Sequence, residues 1–266
     1  MAGDYTIAGG LADARRLARQ ARVMEAATAA FLARAGLAAG TAALDVGCGD
    51  GQVTVAMARL AGPSGLVVGM DADADALVIA QAAAARAGVR AGFVRADAAY
   101  LGTVGAFDLV YARLVLSHLV DPCAALRGMR TAARPGGVVA VEDLNLGTLR
   151  SEPASRALDD LQAVYGATVR FHGGDPTIGP RLRALLAASG LQNVREGTVE
   201  NPMTTVGEKL FLAELVRNMR AAVLAAGVAT GGELDALEAR VEAAARDPGT
   251  VFYQAHIHQV WGRRTQ

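Results

Sequence analysis

Five short apolar runs, Ala42–Val46, Leu66–Met70, Phe93–Ala96, Phe107–Ala112 and Val138–Val141, recur between residues 42 and 141 of the chain. A strand that is apolar on both faces has no solvent side, so it must lie in a sheet covered above and below. Helical segments separate most of the runs, and strands alternating with helices form a parallel sheet wrapped by helices. The helices carry their own punctuation. Gln52–Leu60 follows a glycine turn, and Ala74–Ala87 is closed by Gly88. Asp121-Pro122 opens a helix toward Ala133 with a capping side chain and a proline suited to the first helical position. Pro135-Gly136-Gly137 then turns the chain into the fifth run.

Outside this region the spacing predicts a helix over Leu11–Ala35, with Leu17, Val23, Phe31 and Leu32 as apolar positions and Gly36 and Gly40 as breakers. Beyond Asp143 it predicts helices near Ser151–Ala167 and Pro180–Ala188, parted by His172-Gly173-Gly174-Asp175-Pro176. A strand over Asn193–Val199 follows, then helices over Val206–Ala226 and Gly232–Ala245, and a final strand over Thr250–Trp261. There is no internal repeat or low-complexity linker. These additions read as helical insertions on one sheet, not as a second domain.

A chain of 266 residues can bury one sizeable core, and 52% hydrophobic with 20% charged residues describes a globular protein. Lysine plus arginine equal aspartate plus glutamate, 26 each, so no net charge attracts a polyanion and nucleic acid is a poor substrate expectation. Cys48 and Cys123 imply no disulfide framework, which suits a reducing cytoplasm. Met1-Ala2-Gly3-Asp4-Tyr5 does not read as a secretory leader, and runs such as Leu66-Val67-Val68 are too short to span a bilayer. The expectation is a cytoplasmic protein with no membrane partner.

Leu44-Asp45-Val46-Gly47-Cys48-Gly49-Asp50-Gly51 joins the first run to a helix. Glycines let the backbone turn tightly and approach a ligand closely. The following helix presents free N–H groups and a positive dipole end, which suits an anion. A dinucleotide fingerprint requires Gly-x-Gly-x-x-Gly. Here Gly51 comes one residue early and Gln52 stands in the fingerprint position. Alternate glycines suit a nucleoside carrying an amino-acid carboxylate in place of a pyrophosphate. The second run ends Val68-Gly69-Met70-Asp71, and a carboxylate there can face a ribose and accept from both hydroxyls.

In this order and on these elements, the motifs resemble those of the class I S-adenosylmethionine-dependent methyltransferases that act on small molecules. Leu44–Gly51 matches the family's first motif and Val68–Asp71 its second. Arg95-Ala96-Asp97-Ala98 resembles the third, Phe107–Arg113 the fourth, and Arg134-Pro135-Gly136-Gly137 a later landmark. The resemblance is dense from about Ala42 to Asp143 and holds only in outline beyond. It implies a Rossmann-like α/β fold with a seven-stranded, mostly parallel sheet whose last strand is antiparallel. Helices flank that sheet, and helical insertions form a lid. Residues 1–266 would make one domain, with 1–40 as an amino-terminal lid and 41–143 as the cofactor core. Residues 144–190 and 206–246 would cap a mostly apolar substrate chamber.

The resemblance further implies S-adenosyl-L-methionine as cofactor and S-adenosyl-L-homocysteine as its product. By carry-over, Asp45, Gly47, Cys48 and Gly49 hold the methionine part, Asp71 and Ala72 the ribose, and Asp97 and Ala98 the adenine. Main-chain groups of Ala112 and Arg113 meet the amino end, and Tyr5 and Gln20 of the lid are expected to touch the cofactor. Cys48 reads as a small packing residue, since nothing near it in sequence serves as a base.

Methyl transfer from a sulfonium is a direct displacement with an activated leaving group, so placement and exclusion of water are the protein's main tasks. A base is needed only where the nucleophile must lose a proton. His118 follows the fourth run and is either that base or a structural histidine bonding a neighbouring loop. His172 lies in a loop able to reach a substrate. Glu142 and Asp143 end the fifth run, where ligands gather in this architecture, as substrate contacts or turn caps. His256 and His258 share one face of the final strand, and two such ligands are too few for a metal. The acceptor expected is an oxygen or carbon of a small hydrophobic or aromatic metabolite. A cyclase retaining the cofactor and a nicotinamide-dependent reductase are the alternatives. An amino-terminal helix of this kind can also mediate a homodimer.

Overall fold

The computed structural model describes residues 11–98, 101–102 and 104–265. Helix α1 (Leu11–Ala35) leads into β1 (Ala42–Val46), α2 (Gln52–Ala61), β2 (Leu66–Asp71), α3 (Ala74–Ala87), β3 (Gly92–Arg95) and β4 (Phe107–Arg113). Then come α4 (Pro122–Ala132) and β5 (Ala133–Asn145). Asp73 caps α3 by accepting from Asp75 N, and Asp121 caps α4 by accepting from Ala124 N. The first five strands pair in parallel, in the order β3-β2-β1-β4-β5.

Two later strands, β7 (Leu191–Val199) and β10 (His256–Arg264), complete a seven-stranded sheet. The last strand is reversed, as expected, and lies between β5 and β7, antiparallel to both. The sheet is therefore covered on two faces by different cores. On one face Phe31 and Leu32 of α1 and Met57 of α2 pack on Leu109, Tyr111 and Ala140. On the other, Leu126 and Met129 of α4 and Leu182 and Leu186 of α6 (Leu182–Ala188) pack on Val110, Val139 and Val141.

The remaining elements form a separate cap. Helices α5 (Arg156–Phe171), α7 (Val206–Lys209), α8 (Phe211–Asn218), α9 (Arg220–Ala225) and α10 (Gly231–Arg246) surround a small antiparallel sheet. That sheet has the order β6 (Arg150–Glu152), β9 (Val251–Tyr253), β8 (Pro202–Met203). Leu158, Leu161, Leu212, Val216, Leu237 and Val241 share one buried cluster, so the apolar faces of these helices pack largely on one another.

Four segments differ from the sequence expectation. The helix expected near Ser151–Ala167 spans Arg156–Phe171, because Arg150–Glu152 is drawn into a strand by pairing with Val251–Tyr253. Pro135-Gly136-Gly137 does not separate helix from strand, because β5 already begins at Ala133. Ala133 pairs with Phe107, the register then shifts, and Val138 pairs with Leu109, so a bulge absorbs the turn residues inside the strand. The helix expected over Val206–Ala226 is three short helices that bend at Leu210 and Met219, where the backbone stays near helical geometry without glycine or proline. The first of them ends at Lys209, the single lysine of the chain, which is fully buried. Its Nζ donates to the carbonyls of Asp247 and Thr250, each at 2.7 Å, beside the Phe252 ring. Finally, Thr250–Trp261 is two strands in two sheets, parted at Gln254, whose N–H donates to Asn201 O. Among the described residues no helix is long and apolar enough to cross a membrane.

Candidate cofactor and active site

The glycine turn sits at the carboxyl end of β1. Gly47, Gly49 and Gly51 all have positive φ. At Gly47 a Cβ would lie 2.5 Å from Val115 Cγ2, and at Gly51 it would lie 2.7 Å from Ala80 Cβ. The two glycines thus let the turn approach the segment after β4 and let α2 seat against α3. Three of the turn's N–H groups are already used by the protein. Cys48 N donates to Met70 O, Gly51 N to Cys48 O, and Gly49 N to Asp71 Oδ2 at 2.8 Å. Asp73 N donates to the other Asp71 oxygen at 3.0 Å. Asp71 is half-buried at the end of β2, and these bonds orient its carboxylate while leaving lone pairs for a ligand diol. Ala72 O accepts from Arg95 Nε, which fastens the next residue to β3.

Asp45 points from β1 to the α1–α2 side and is buried. It accepts from Thr54 Oγ1 at 2.6 Å. Burial pushes its carboxyl up to about 7, opposed by the Thr54 hydroxyl and the charge of Arg113. Because the folded value exceeds the unfolded one, the folded state holds this proton more tightly. The stability contributed is complete below about pH 4 and is lost as pH rises through about 7. Asp45→Asn is expected to remove that loss, worth roughly 4 kcal/mol at most. Melting temperatures of the ligand-free variant should fall less between pH 5.5 and 8.5 than those of the parent, and parallel curves would refute the assignment. The Cys48 thiol is buried, and burial with the charges of Asp45 and Asp71 pushes it far up, so it is no nucleophile at neutral pH.

Asp97 follows β3 and is exposed, with Ala98 half-buried beside it, and Ala96 N is bonded to Asp71 O. Asp97 and Ala98 on one side and Asp71 on the other are therefore on adjacent strand ends. Ala112 is fully buried and Arg113 half-buried at the end of β4. Leu114 then takes a positive φ of 56° and gives its N–H to Glu142 O. This sharp turn leads into a single 3-10 turn, Leu116–His118. Asp143 is buried and bonds the N–H groups of Ser117 (3.0 Å) and Leu144 (2.9 Å), and burial pushes its carboxyl up to about 6. His118 is half-buried, with Nε2 3.4 Å from the hydroxyl of Tyr165 on α5. The loop carrying His172 lies against the same turn, through Asp175 N donating to Ser117 O, and His172 packs edge-on against Phe171.

Glu142 occupies a different place. It is fully buried on the α1 side, where Thr28 Oγ1 (2.9 Å), Gln259 Nε2 (2.6 Å) and the Tyr111 hydroxyl all donate to it. Burial and this carboxylate hold the Tyr111 phenol well above its ordinary range. Arg34 Nη2 donates to Gln259 Oε1 at 2.6 Å, and Arg113 Nη1 donates to Thr28 Oγ1 at 3.4 Å. A buried polar layer thus ties α1 to the strand ends. Thr28, Tyr111 and Gln259 were not singled out from the sequence. Their one signal is a polar group inside an otherwise apolar stripe. Gln20 lies eight residues before Thr28 on α1, roughly 12 Å along the helix axis. Tyr5 lies outside the described residues. His256 pairs with Glu200 at 3.3 Å, and His258 lies 3.5 Å from Thr198 Oγ1.

A family model described as a methyltransferase domain matches residues 37–187, more than half of the chain. The ubiquinone biosynthesis O-methyltransferase of Ruegeria pomeroyi is 33% identical over 176 residues, covering 62% of this chain and 66% of that protein. The chain thus matches slightly less than two thirds of the length of this relative. Among solved structures, the YcgJ protein of Bacillus subtilis aligns with a TM-score of 0.59 at 16% identity, covering 88% of this chain and 96% of that one. The [4+2]-cyclase SpnF aligns with a TM-score of 0.53 at 20% identity, covering 88% and 78%. These two likenesses establish the fold. Since the matched family model takes in every parallel strand from β1 to β5 together with the glycine turn and Asp71, the chain belongs to the class I S-adenosylmethionine-dependent methyltransferase family.

Proposed function

We propose that the protein transfers a methyl group from S-adenosylmethionine to an oxygen of a small aromatic or otherwise apolar acceptor, with His118 receiving the acceptor's proton. The observation that carries this reading is His118 on the turn after β4, paired with Tyr165 of α5, while buried Asp143 accepts from Ser117 N of that turn. The cofactor supplies an electrophilic methyl group on a sulfonium. The donor set fits it: Asp71 offers a carboxylate to a ribose diol, and the buried carboxyl of Asp45 offers acceptor oxygens to an ammonium. Asp97 and Ala98 stand at the neighbouring strand end for the adenine.

Asp143 fixes the turn through Ser117 N, so His118 cannot drift along the strand axis. Its imidazole can take a proton from an acceptor hydroxyl while Tyr165 holds the ring's orientation. The cap helices, closing from α5 and α8, would exclude water from the transfer, and an O-methyltransferase among the relatives supports oxygen as the atom methylated.

His118→Ala and His118→Gln are expected to lower kcat by roughly 10²- to 10⁴-fold on a phenolic acceptor, with S-adenosylhomocysteine affinity unchanged. The pH–rate profile should lose its low-pH limb. The measurement is S-adenosylhomocysteine release from a panel of small phenols and catechols. A variant that keeps parental kcat sinks the role of His118. Turnover of an acceptor without stoichiometric S-adenosylhomocysteine sinks methyl transfer itself.

A further inference from the structure

We propose that the side chain of Arg113 is the counter-ion of the cofactor's carboxylate, and that Thr28 of α1 fixes it in that position. The inference rests on the cofactor reading above and gives a role to the side chain of a residue for which the sequence implied main-chain contacts alone. In the sheet, Asp45 pairs with Tyr111 and Val46 with Ala112, so Arg113 comes into register with the first glycine of the turn. Alternation along β4 puts Arg113 on the same face as Leu109 and Tyr111, the side that faces α1 and Asp45.

The usual anion partner in such folds is the N–H array of the turn and the helix that follows it. Here three members of that array are engaged: Cys48, Gly49 and Gly51 give their N–H groups to Met70 O, Asp71 and Cys48 O. Those three are not open to an amino-acid carboxylate at this end of the sheet, which gains from a positive charge close by. Arg113 is the guanidinium at hand. It is half-buried, and its contact is a neutral hydroxyl, Thr28 Oγ1, at 3.4 Å. Among the described residues no carboxylate stands within 4.0 Å of it, whereas arginines such as Arg150, Arg217 and Arg240 on the surface are paired. Asp45 and Arg113 influence one another electrostatically without forming an ion pair. A buried carboxyl and a half-buried guanidinium that form no ion pair match the two ends of a zwitterion, ammonium to Asp45 and carboxylate to Arg113. The planar fork of arginine suits a carboxylate in two parallel bonds. Thr28 couples this contact to Glu142, so α1 and the carboxylate site are set by one network.

Calorimetric titration with S-adenosylhomocysteine and with S-adenosyl-3-thiopropylamine, which lacks only the carboxylate, tests this directly. The parent is expected to prefer the carboxylate ligand by roughly 10- to 100-fold. In Arg113→Met that preference should vanish, through weaker S-adenosylhomocysteine binding with the amine analogue changed less than about threefold. Arg113→Lys, which keeps the charge and the stem, should retain part of the preference and guards against a variant that fails to fold. Equal weakening of both ligands in Arg113→Met would make the residue structural and overturn the proposal. An undiminished preference would do so as well. A parent protein that binds neither ligand would overturn the cofactor reading instead, and this inference with it.

Discussion

Asp71→Ala should weaken S-adenosylhomocysteine binding by roughly 10²- to 10⁴-fold, the loss of two hydrogen bonds from ribose hydroxyls to a charged acceptor at about 1.5–3 kcal/mol each. The carboxylate is already held by Gly49 N and Asp73 N, so little ordering remains to be done when the diol arrives. The same bonds make Asp71 a brace for the glycine turn, and its removal leaves Gly49 N without its acceptor. Asp71→Asn keeps the shape and one acceptor oxygen, and should fall between parent and alanine. Calorimetry decides the matter. A dissociation constant for Asp71→Ala within threefold of the parent would exclude the ribose role.

The second large effect is expected at Gly51, where the cost lies in folding more than in binding. Its φ of 80° is disfavoured for any residue with a Cβ, and worse for a branched one. A Cβ there would also lie 2.7 Å from Ala80 Cβ and 2.9 Å from Ala80 Cα, so backbone must move. Gly51→Val combines about 1–3 kcal/mol of strain with a similar cost of overpacking, roughly 4 kcal/mol in all. For a domain of this size that lowers the melting temperature by about 8–16 °C. Ala80→Gly in the same chain should recover part of the loss, because it relieves the side-chain clash and leaves the backbone strain. Additive, uncoupled losses in the double variant would show that α2 and α3 do not meet there as described.

The contrast between Asp71 and Glu142 shows what local sequence can carry. Asp71 announces itself because strand, turn and acidic strand end follow one another within thirty residues, and every element from β1 to α4 obeys a local period. Glu142 stands at an equally suggestive strand end. Two of its three partners, however, are 114 and 117 residues away, and only the folded arrangement of α1, β4, β5 and β10 reveals that its oxygens are engaged. The small sheet was illegible for another reason. Strands of two and three residues are too short to display an alternation, and their pairing depends on where the cap helices deliver them. Pro135-Gly136-Gly137 misled in the opposite sense. It carries every local mark of a chain break, yet the flanking strand β4 offers pairing on both sides of it, and tertiary pairing prevails over the local signal.

Burial of Lys209 has a chemical consequence beyond packing. The chain carries no other lysine, and this amine is enclosed beneath β9 with both carbonyl partners in place. Reagents or modifying enzymes that seek lysine side chains therefore find no target on the native surface. Acylation at position 209 requires that the cap first open, and the extent of such labelling becomes a clock for that opening rather than a measure of surface reactivity.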